Sequence, residues 1–378
     1  MVLRSHEKQV ATDAVIIGGG PAGLAAAISM RAKGIECAVI DALEPPIDKG
    51  CGEGLLPDAV SCLKTLGIEL ADDDGHSLRG IRFANNTHRV QAKFTHGTGM
   101  GVRRTRLHQK MCDRAREAGA DLLWGSRATL LQNGRILING QAARYRWVIG
   151  ADGASSLVRK WSGLHGERAF SQRYGCRRHY EITPWSEYVE VHWGSTGQLY
   201  ITPTGRNEVC VVHISRDGNL NRDTFLEGFP EIAARLKDAP MRSSQRGAVS
   251  VTRKLKRVAN DTVALIGDAS GSVDSITGEG LALCFRQAIA LAGAVERDNL
   301  IEYANEHAGI SRLAHNMARM MLCLNRWPAL ERRSLKALAS EQSLFQDLLS
   351  VHTGAAKMLT FAFRRGPLFG WKLLSNNS

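Results

Sequence analysis

Three glycines near the N-terminus have the spacing of a turn that binds a diphosphate. Gly18, Gly20 and Gly23 follow a short apolar run and precede the helix-forming sequence LAAAISMRAKG. In such a turn the first glycine permits a tight bend, the second lets phosphate approach the backbone, and the third lets the helix pack closely on the strand. The anion lies at the helix N-terminus, where free N–H groups and the helix dipole favour negative charge.

The residues around this turn predict which molecule carries the diphosphate. Asp41 ends the second apolar run, CAVI, and is placed to accept hydrogen bonds from a ribose diol. Pro21 and Ala22 lie inside the turn, beside the expected phosphates. Strand, turn, helix, strand and acid agree, so the segment predicts an ADP group; the alternative is an ordinary glycine-rich turn. Cys37, in the second run, is expected to pack in the core.

Two more apolar runs end in a turn that combines glycine with an acid. Asp152 and Gly153 follow the run WVIG, and Gly267 and Asp268 follow the run TVALI, with Gly271 shortly after. Each pair has an alternative interpretation as a simple turn former. Three such turns at three strand ends indicate several contact points along one extended ligand.

The three turns together resemble those of the flavoprotein monooxygenase and geranylgeranyl reductase superfamily, which has the p-hydroxybenzoate hydroxylase fold. The resemblance covers about residues 10 to 300. It implies FAD rather than NAD, because the third turn is the family's site for the ribityl chain, with Asp268 bonding a ribityl hydroxyl. Asp152 and Gly153 are expected near the pyrophosphate and a nicotinamide cofactor.

The family also has an arginine at the start of the helix that follows the first β insertion. Arg104 matches it, with Arg103 and Arg106 as alternatives, and it is expected to bond cofactor phosphate through its guanidinium group. No second glycine turn followed by a helix occurs, so electrons are expected from transiently bound NAD(P)H or from a partner reductase.

The sequence TGEGL, which starts another helix, is the expected flavin-edge site. The resemblance places Gly278, Glu279, Gly280 and Leu281 at the pyrimidine edge of the flavin. The positive end of the helix would stabilise anionic reduced flavin there, and Gly278 and Gly280 would let backbone N–H groups approach the ring.

The reaction type depends on two stretches. GDASGSVDSITGEGL is similar to the reductase pattern and departs from it by Ser275 in place of proline. KGCGEGL matches the loop that carries a cysteine beside the flavin in geranylgeranyl reductases. Cys51 is therefore a candidate proton donor in alkene reduction, with hydride from flavin N5; the alternative is a small buried residue.

Two rival functions remain open at this point. The first is a monooxygenase that hydroxylates or epoxidises an aromatic, polyketide or isoprenoid substrate by way of a flavin C4a-hydroperoxide. The second is a flavoprotein maturase that acts on a protein partner. Trp185, Tyr188, Trp193 and Tyr200 fall on the predicted substrate sheet, where each lines the pocket or packs in the core.

Alternation and periodicity predict an α/β protein of the α+β type overall: a Rossmann-like FAD domain interrupted by an antiparallel substrate sheet, with C-terminal helices. YVEVHWG and GQLYITP are typical runs of that sheet. The predicted parts are an FAD-binding domain (1–79, 103–163 and 258–310), a β-rich substrate domain (80–102 and 164–257) and a helical region (311–378).

Composition narrows the choice of partner. The 378 residues carry a formal net charge of +12, spread along the chain without a nucleic-acid-binding motif, so no nucleic acid is expected. Eight scattered cysteines predict reduced thiols, and the polar N-terminus predicts a cytoplasmic protein without a transmembrane segment. The C-terminal RRGPLFGWKLL either touches a lipid surface or packs on the FAD domain. No metal site is predicted.

Overall fold

The computed structural model describes residues 11–131, 135–218 and 226–375. Its strands are β1 (Ala14–Ile17), β2 (Cys37–Ile40), β3 (Gly54–Leu55), β4 (His76–Leu78), β5 (Gly80–Ala84), β6 (Arg89–Lys93), β7 (Gly99–Gly101), β8 (Asp121–Leu123), β9 (Ala128–Leu130), β10 (Ile136–Ile138), β11 (Gln141–Ala142), β12 (Trp147–Gly150), β13 (Glu167–Tyr180), β14 (Tyr188–Gly194), β15 (Gly197–Gly205), β16 (Glu208–Ser215), β17 (Arg246–Leu255), β18 (Val263–Leu265) and β19 (Gly271–Ser272). Its helices are α1 (Pro21–Arg31), α2 (Pro57–Thr65), α3 (Arg104–Glu117), α4 (Leu157–Trp161), α5 (Pro230–Leu236), α6 (Gly280–Glu296), α7 (Leu300–Arg326), α8 (Pro328–Ser340), α9 (Gln342–His352), α10 (Met358–Arg364) and α11 (Gly366–Ser375).

A parallel sheet in the order β18-β12-β1-β2-β8 forms the centre of the fold. Its inner strands are short, apolar and buried, as expected for strands covered on both faces. Strands β18, β12 and β1 are neighbours, so the three glycine turns that follow them lie side by side at the carboxyl edge of the sheet. That edge is where parallel α/β sheets bind ligands.

An eight-stranded sheet in the order β19-β17-β13-β16-β15-β14-β5-β6 stands over this edge. Its pairs are antiparallel except one: β5 and β14 run parallel. The prediction of a wholly antiparallel sheet was therefore wrong at this pair. The two strands belong to separate insertions, and each insertion enters the sheet in the same direction.

The C-terminal helices cover one face of the eight-stranded sheet. Apolar residues of α7, α8 and α9 share a core with sheet residues such as Val191 and Trp193. Helices α10 and α11 pack on each other next to this core. No described helix is long and apolar enough to cross a membrane.

Helix α6 begins later than the sequence suggested. The prediction placed its start near Gly278, but Gly278 has φ 69°, which ends a short 3₁₀ turn over Ser275–Thr277. The regular helix then starts at Gly280. Left-handed backbone at Gly278 therefore separates the turn from the helix.

Candidate functional site

The first glycine turn is packed too closely for side chains. Gly18 has φ 111°, and a methyl group there would lie 2.4 Å from the carbonyl oxygen of Ala151. A methyl group on Gly23 would lie 1.9 Å from the carbonyl oxygen of Gly18. The glycines thus bring the first turn, helix α1 and the second turn into direct backbone contact, as their spacing predicted.

Asp41 holds this turn as well as the loop after β2. Its Oδ2 accepts the N–H of Gly19 at 2.7 Å, and its Oδ1 accepts the N–H of Leu43 at 2.9 Å. Two side chains that the sequence analysis did not single out also contact Gly19 in this turn. His108 Nε2 lies 2.8 Å from the Gly19 carbonyl oxygen, and the Trp124 ring lies against Gly19.

Arg104 is the arginine that faces the turn. Its Nη2 lies 4.0 Å from the position a Cβ on Gly20 would take. Its Nε is buried without a hydrogen-bond partner among the described residues, and its backbone N–H donates to Glu53 Oε1 at 3.0 Å. An unpaired guanidinium donor beside a glycine turn suits a phosphate oxygen.

The side chains of the two neighbouring arginines bond to acidic residues outside this turn. Arg103 Nε donates to Glu208 Oε1 at 2.8 Å. Arg106 Nε donates to Asp74 Oδ1 at 2.8 Å. Of the three candidates, only Arg104 lines the large cavity described below.

The two carboxylate oxygens of Asp152, in the second turn, have different surroundings. Oδ2 accepts the N–H groups of Leu157 at 2.7 Å and Val158 at 3.1 Å, and so caps helix α4. Oδ1 is buried and unpartnered in the part of the chain that the structure describes. Gly153 follows with φ 81°. The turn-forming role is therefore present, and one oxygen remains for a ligand.

A buried arginine that the sequence analysis missed links the second and third turns. Arg159 donates from Nη1 to the carbonyl oxygen of Ala269 at 3.0 Å and from Nη2 to that of Ala154 at 2.8 Å. The sequence around Arg159 carries no local signal of this link, because its partner Ala269 lies 110 residues away. Arg159 fixes the spacing of the two turns.

The third turn is held by its glycines and by α6. Gly267 has φ 58°, and its N–H donates to Gln287 Oε1 at 2.8 Å; Gly271 has φ 115°. Asp268 lies between them and faces the cavity. The Asp268 side chain is exposed to the cavity, and the cation Arg104 lies near it.

Cys51 lies on the cavity wall, and a buried carboxylate two residues later fixes its loop. Cys51 Sγ accepts the N–H of Glu53 at 3.4 Å. Glu53 is 2% exposed and has φ 59°, a left-handed conformation that is costly for a residue with a side chain. Its Oε1 lies 3.0 Å from Arg177 Nη1, and its Oε2 lies 2.6 Å from His179 Nε2. These contacts with β13 hold the strained loop in place.

Arg177 makes a second contact with the same loop. It binds Asp48 with both terminal nitrogens, at 2.8 Å and 3.0 Å. Arg246, on β17, lies 3.3 Å from the same carboxylate. The two arginines hold the pKa of Asp48 below its usual range. The cysteine loop is thus attached to the substrate sheet on both sides of Cys51.

A second buried ion pair attaches the segment after the third turn to β13. The Asp274 carboxylate pairs with the Arg173 guanidinium, and both side chains are almost fully buried. Arg173 Nη1 also donates to Gln198 Oε1 at 2.7 Å. Ser275, at the position where the reductase pattern has proline, donates its N–H to Ser250 Oγ at 2.9 Å.

The start of α6 meets a histidine from the C-terminal region. His352 Nε2 donates to the carbonyl oxygen of Thr277 at 2.9 Å, so Nδ1 carries the lone pair. Nδ1 lies 3.7 Å from Glu279 Oε2. Burial raises the pKa of Glu279 to about 8 and lowers that of His352. Both shifts favour the uncharged forms of the two groups.

A cavity of about 1030 Å³ joins these parts. Gly20, Pro21 and Ala22 line one end, and Gly278, Gly280 and Leu281 line its middle, together with Cys51, Arg104, Asp152, Gly153, Gly267 and Asp268. The far end is apolar. Its wall includes Phe83, Val191, Trp193, Tyr200, Met317, Met320, Met321, Leu335, Phe345 and Leu349.

Of the four aromatic candidates on the sheet, two line the cavity and two pack elsewhere. Trp193 and Tyr200 line the cavity. Trp185 packs against a separate core, and Tyr188 stacks under Arg82. Cys37 is buried in the core, and burial raises the pKa of its thiol to about 12.

Comparison with known proteins agrees with this geometry. The family described as FAD binding domain matches residues 11–315. A menaquinone reductase of Mycobacterium tuberculosis is 30% identical over 311 residues, which cover 71% of this chain and 72% of that protein. A digeranylgeranylglycerophospholipid reductase of Methanopyrus kandleri is 28% identical over 318 residues, with 76% and 78% covered.

Solved structures share the fold at lower identity. A flavin-dependent brominase superposes with a TM-score of 0.79 at 17% identity, covering 97% of this chain and 99% of that one. A geranylgeranyl bacteriochlorophyll reductase-like protein of Thermoplasma acidophilum gives a TM-score of 0.68 at 20% identity, covering 97% and 100%. These two likenesses concern the architecture.

Proposed function

The chain belongs to the FAD binding domain family and is an FAD-dependent oxidoreductase, and from that premise we propose that it reduces a carbon–carbon double bond in an apolar molecule. The observation that carries the proposal is the position of Cys51: its loop faces a long apolar cavity and is clamped on both sides by ion pairs. The proposed substrate class is polyisoprenoid or polyketide-like.

The residues along the cavity fit FAD. The first glycine turn lines the cavity with Gly20, Pro21 and Ala22, and the close backbone contacts of Gly18 and Gly23 hold that turn in place. Two buried polar atoms that lack a partner among the described residues, Arg104 Nε and Asp152 Oδ1, face the same cavity. The fit supports ADP contacts at the first turn, phosphate contacts from Arg104 and ribityl contacts from Asp268.

Bound FAD supplies, when reduced, the hydride that leaves its N5 for one alkene carbon. We assign the proton for the neighbouring carbon to the Cys51 thiol, which regains it from solvent. The buried ion pairs of Glu53 and Asp48 hold the thiol in position for that transfer. With FAD bound, Gly278 and Gly280 would give the start of α6 close access to the flavin edge, where the helix dipole would stabilise negative charge.

The apolar end of the cavity supports the substrate class. Aliphatic, methionine and aromatic side chains line it, and the flexible methionines let such a surface adapt to a long flexible chain. The curated relatives are named for menaquinone and for digeranylgeranylglycerophospholipid, which makes these two lipids the first substrates to try. We assign the reductant to NAD(P)H that binds transiently.

We also propose that the enzyme is cytoplasmic and touches lipid through α10 and α11. Leu359, Phe363, Trp371 and Leu374 are 63–82% exposed on these helices. Sequence positions 353–375 hold four cations and no acid. Inner residues of the same helices, Phe361 and Phe369, line the substrate cavity, so an apolar molecule would pass directly from a lipid surface.

Anaerobic single turnover tests the function. The holoenzyme is reduced with dithionite, mixed with either lipid without oxygen, and followed by flavin absorbance and product mass. Flavin reoxidation with a product heavier by two hydrogens supports the proposal. Reoxidation that requires O₂, with an oxygen atom gained by the product, would establish the monooxygenase instead. A flavoprotein that turns over neither lipid and co-purifies with one protein partner would favour a maturase.

Replacing Cys51 tests the proton donor. Cys51→Ala is expected to slow lipid reduction about 100-fold, the usual contribution of a positioned general acid, while FAD content stays unchanged. Cys62→Ala is the matched control, because Cys62 is a half-buried thiol that does not line the cavity. Equal rates for Cys51→Ala and the parent enzyme would remove Cys51 from the mechanism.

A further inference from the structure

A second cavity of about 1730 Å³ lies on the other side of the third glycine turn. Helix α7 forms one wall, and the end of β17 with the segment to Asp261 forms the other. Its floor includes Gly267, Asp268, Gly280 and Cys284, all of which also line the proposed FAD cavity. The two cavities therefore share a wall that includes Asp268, the residue expected to bond the ribityl chain.

The α7 wall of this groove is basic along its length. Arg312, Arg319 and Arg326 follow one another at seven-residue intervals, so their side chains lie on one face of the helix, and all three line the groove. His315 lies between them with Nε2 unpartnered among the described atoms. Its Nδ1 bonds the carbonyl oxygen of Ser311 at 2.8 Å.

The opposite wall carries a matching set of cations. Lys254, Lys256 and Arg257 lie at the end of β17 and just beyond it, exposed to the same groove. Within the described residues, none of these six side chains forms an ion pair with a carboxylate; Arg173, Arg216 and Arg253 also line the groove. The only acids among the groove-lining residues are Asp261 and Asp268. Two facing rows of cations repel each other, and an anion between them relieves that repulsion.

Three features of the groove restrict the anion. The groove is concave, so a molecule that enters it fits better than a flat lipid surface. Guanidinium groups bind phosphate through paired hydrogen bonds, and three arginines lie in a row. The shared wall places the groove next to the residues that would hold FAD, where a reductant is needed. A dinucleotide has more than one phosphate group, so it can contact several of these cations at once.

We propose that this groove binds the phosphates of the nicotinamide dinucleotide that reduces the enzyme, and that it prefers the form with a 2′-phosphate. The proposal rests on the proposed use of NAD(P)H. It gives a site to a cofactor for which the chain has no second glycine turn. Because a 2′-phosphate adds negative charge, NADP⁺ is expected to bind more tightly than NAD⁺.

Calorimetric titration of the oxidised holoenzyme with NADP⁺ and with NAD⁺ tests the site without turnover. The double variant Arg312→Gln/Arg319→Gln is expected to bind NADP⁺ at least tenfold more weakly than the parent enzyme. Arg332→Gln/Arg333→Gln on α8 is the matched control, since it removes two exposed arginines outside the groove. Its affinity is expected to equal that of the parent.

Three results would overturn the proposal: no binding of either dinucleotide by the parent, unchanged binding by the groove variant, or equal losses in both double variants. The titration separates this proposal from the function. Lipid reduction is tested with dithionite, which does not need the groove, so either test fails or succeeds without the other. Parent enzyme that binds anionic vesicles or RNA through these arginines, and no dinucleotide, counts against the site.

Discussion

The two ends of the proposed FAD cavity are built in different ways. The diphosphate end is formed mainly by backbone: close glycine contacts, helix N-termini and turns whose residues are next to one another in sequence. At the flavin end, buried charged side chains join distant segments, as in Asp274 with Arg173 and Glu53 with Arg177. Added atoms at Gly18 or Gly23 would disrupt the first end, and loss of one partner of an ion pair would disrupt the second.

This difference indicates how the two ends can vary. Side chains contribute little to a backbone cradle, so we expect changes of side chain to alter it little. The flavin end depends on side chains from two insertions and from the C-terminal helices, so each change there alters the position of a loop. We therefore expect substrate choice and reaction type to depend on the charged end.

The largest effect is expected at the buried ion pair. Arg173→Met removes the partner of Asp274 and leaves a buried carboxylate uncompensated, which typically costs about 3–5 kcal/mol of unfolding free energy. Chemical unfolding measures the loss. The double variant Arg173→Met/Asp274→Leu is the control, because removing both charges should restore most of the stability. If the single variant were as stable as the parent, the charges would not hold this end together.

Sequence predicted the backbone end well because its signals are local. The spacing of Gly18, Gly20 and Gly23 and the acids at strand ends each fix a conformation within a few residues. The architecture followed from the same runs, apart from the parallel pair β5 and β14. The contact roles assigned to individual residues remain predictions.

The charged end could not be predicted in the same way. On β13, one face of the strand carries Arg173, Arg177 and His179. Their types and spacing are those of ordinary strand residues, and their partners are far away in sequence. His352 lies beyond residue 315, where the family match ends, yet it reaches the start of α6. Pairing between distant segments leaves no periodic signal in a single sequence.

The backbone end is tested by adding one methyl group. Gly23→Ala would place a Cβ 1.9 Å from the Gly18 carbonyl oxygen, and the strand and helix would have to separate. Such overpacking costs about 1–3 kcal/mol, and we expect the purified variant to lose most of its FAD. Flavin absorbance and unfolding free energy are measured together.

Gly370→Ala is the control for that variant. No atom lies within 4 Å of a Cβ at Gly370, which is in helix α11. Alanine there should leave FAD content unchanged and alter stability by less than about 1 kcal/mol, in the stabilising direction. A Gly23→Ala protein that retains FAD and stability would show that the cradle is looser than its geometry indicates.

The last effect concerns Glu279 and depends on pH, so at any one pH step it is small. Its pKa rises from 4.5 to about 8 in the folded protein, so between these values the folded state keeps a proton that the unfolded state has lost. Stability from this group therefore falls as pH rises, by at most about 1.4 kcal/mol per pH unit. His352 acts oppositely: its lowered pKa removes stability as pH falls below its ordinary 6.5. Asp58 raises and Arg286 lowers the pKa of Glu279.

Glu279→Gln isolates this contribution, because glutamine keeps the shape of the neutral carboxyl and does not titrate. The stability of the variant relative to the parent is expected to increase between about pH 5 and pH 8, measured by chemical unfolding at each pH. Glu306→Gln, at an exposed site on α7, should show no such trend. Parallel curves for Glu279→Gln and the parent would mean that Glu279 is ionised in the folded protein. The positive end of α6 would then already face a negative charge, and its capacity to stabilise reduced flavin would be smaller.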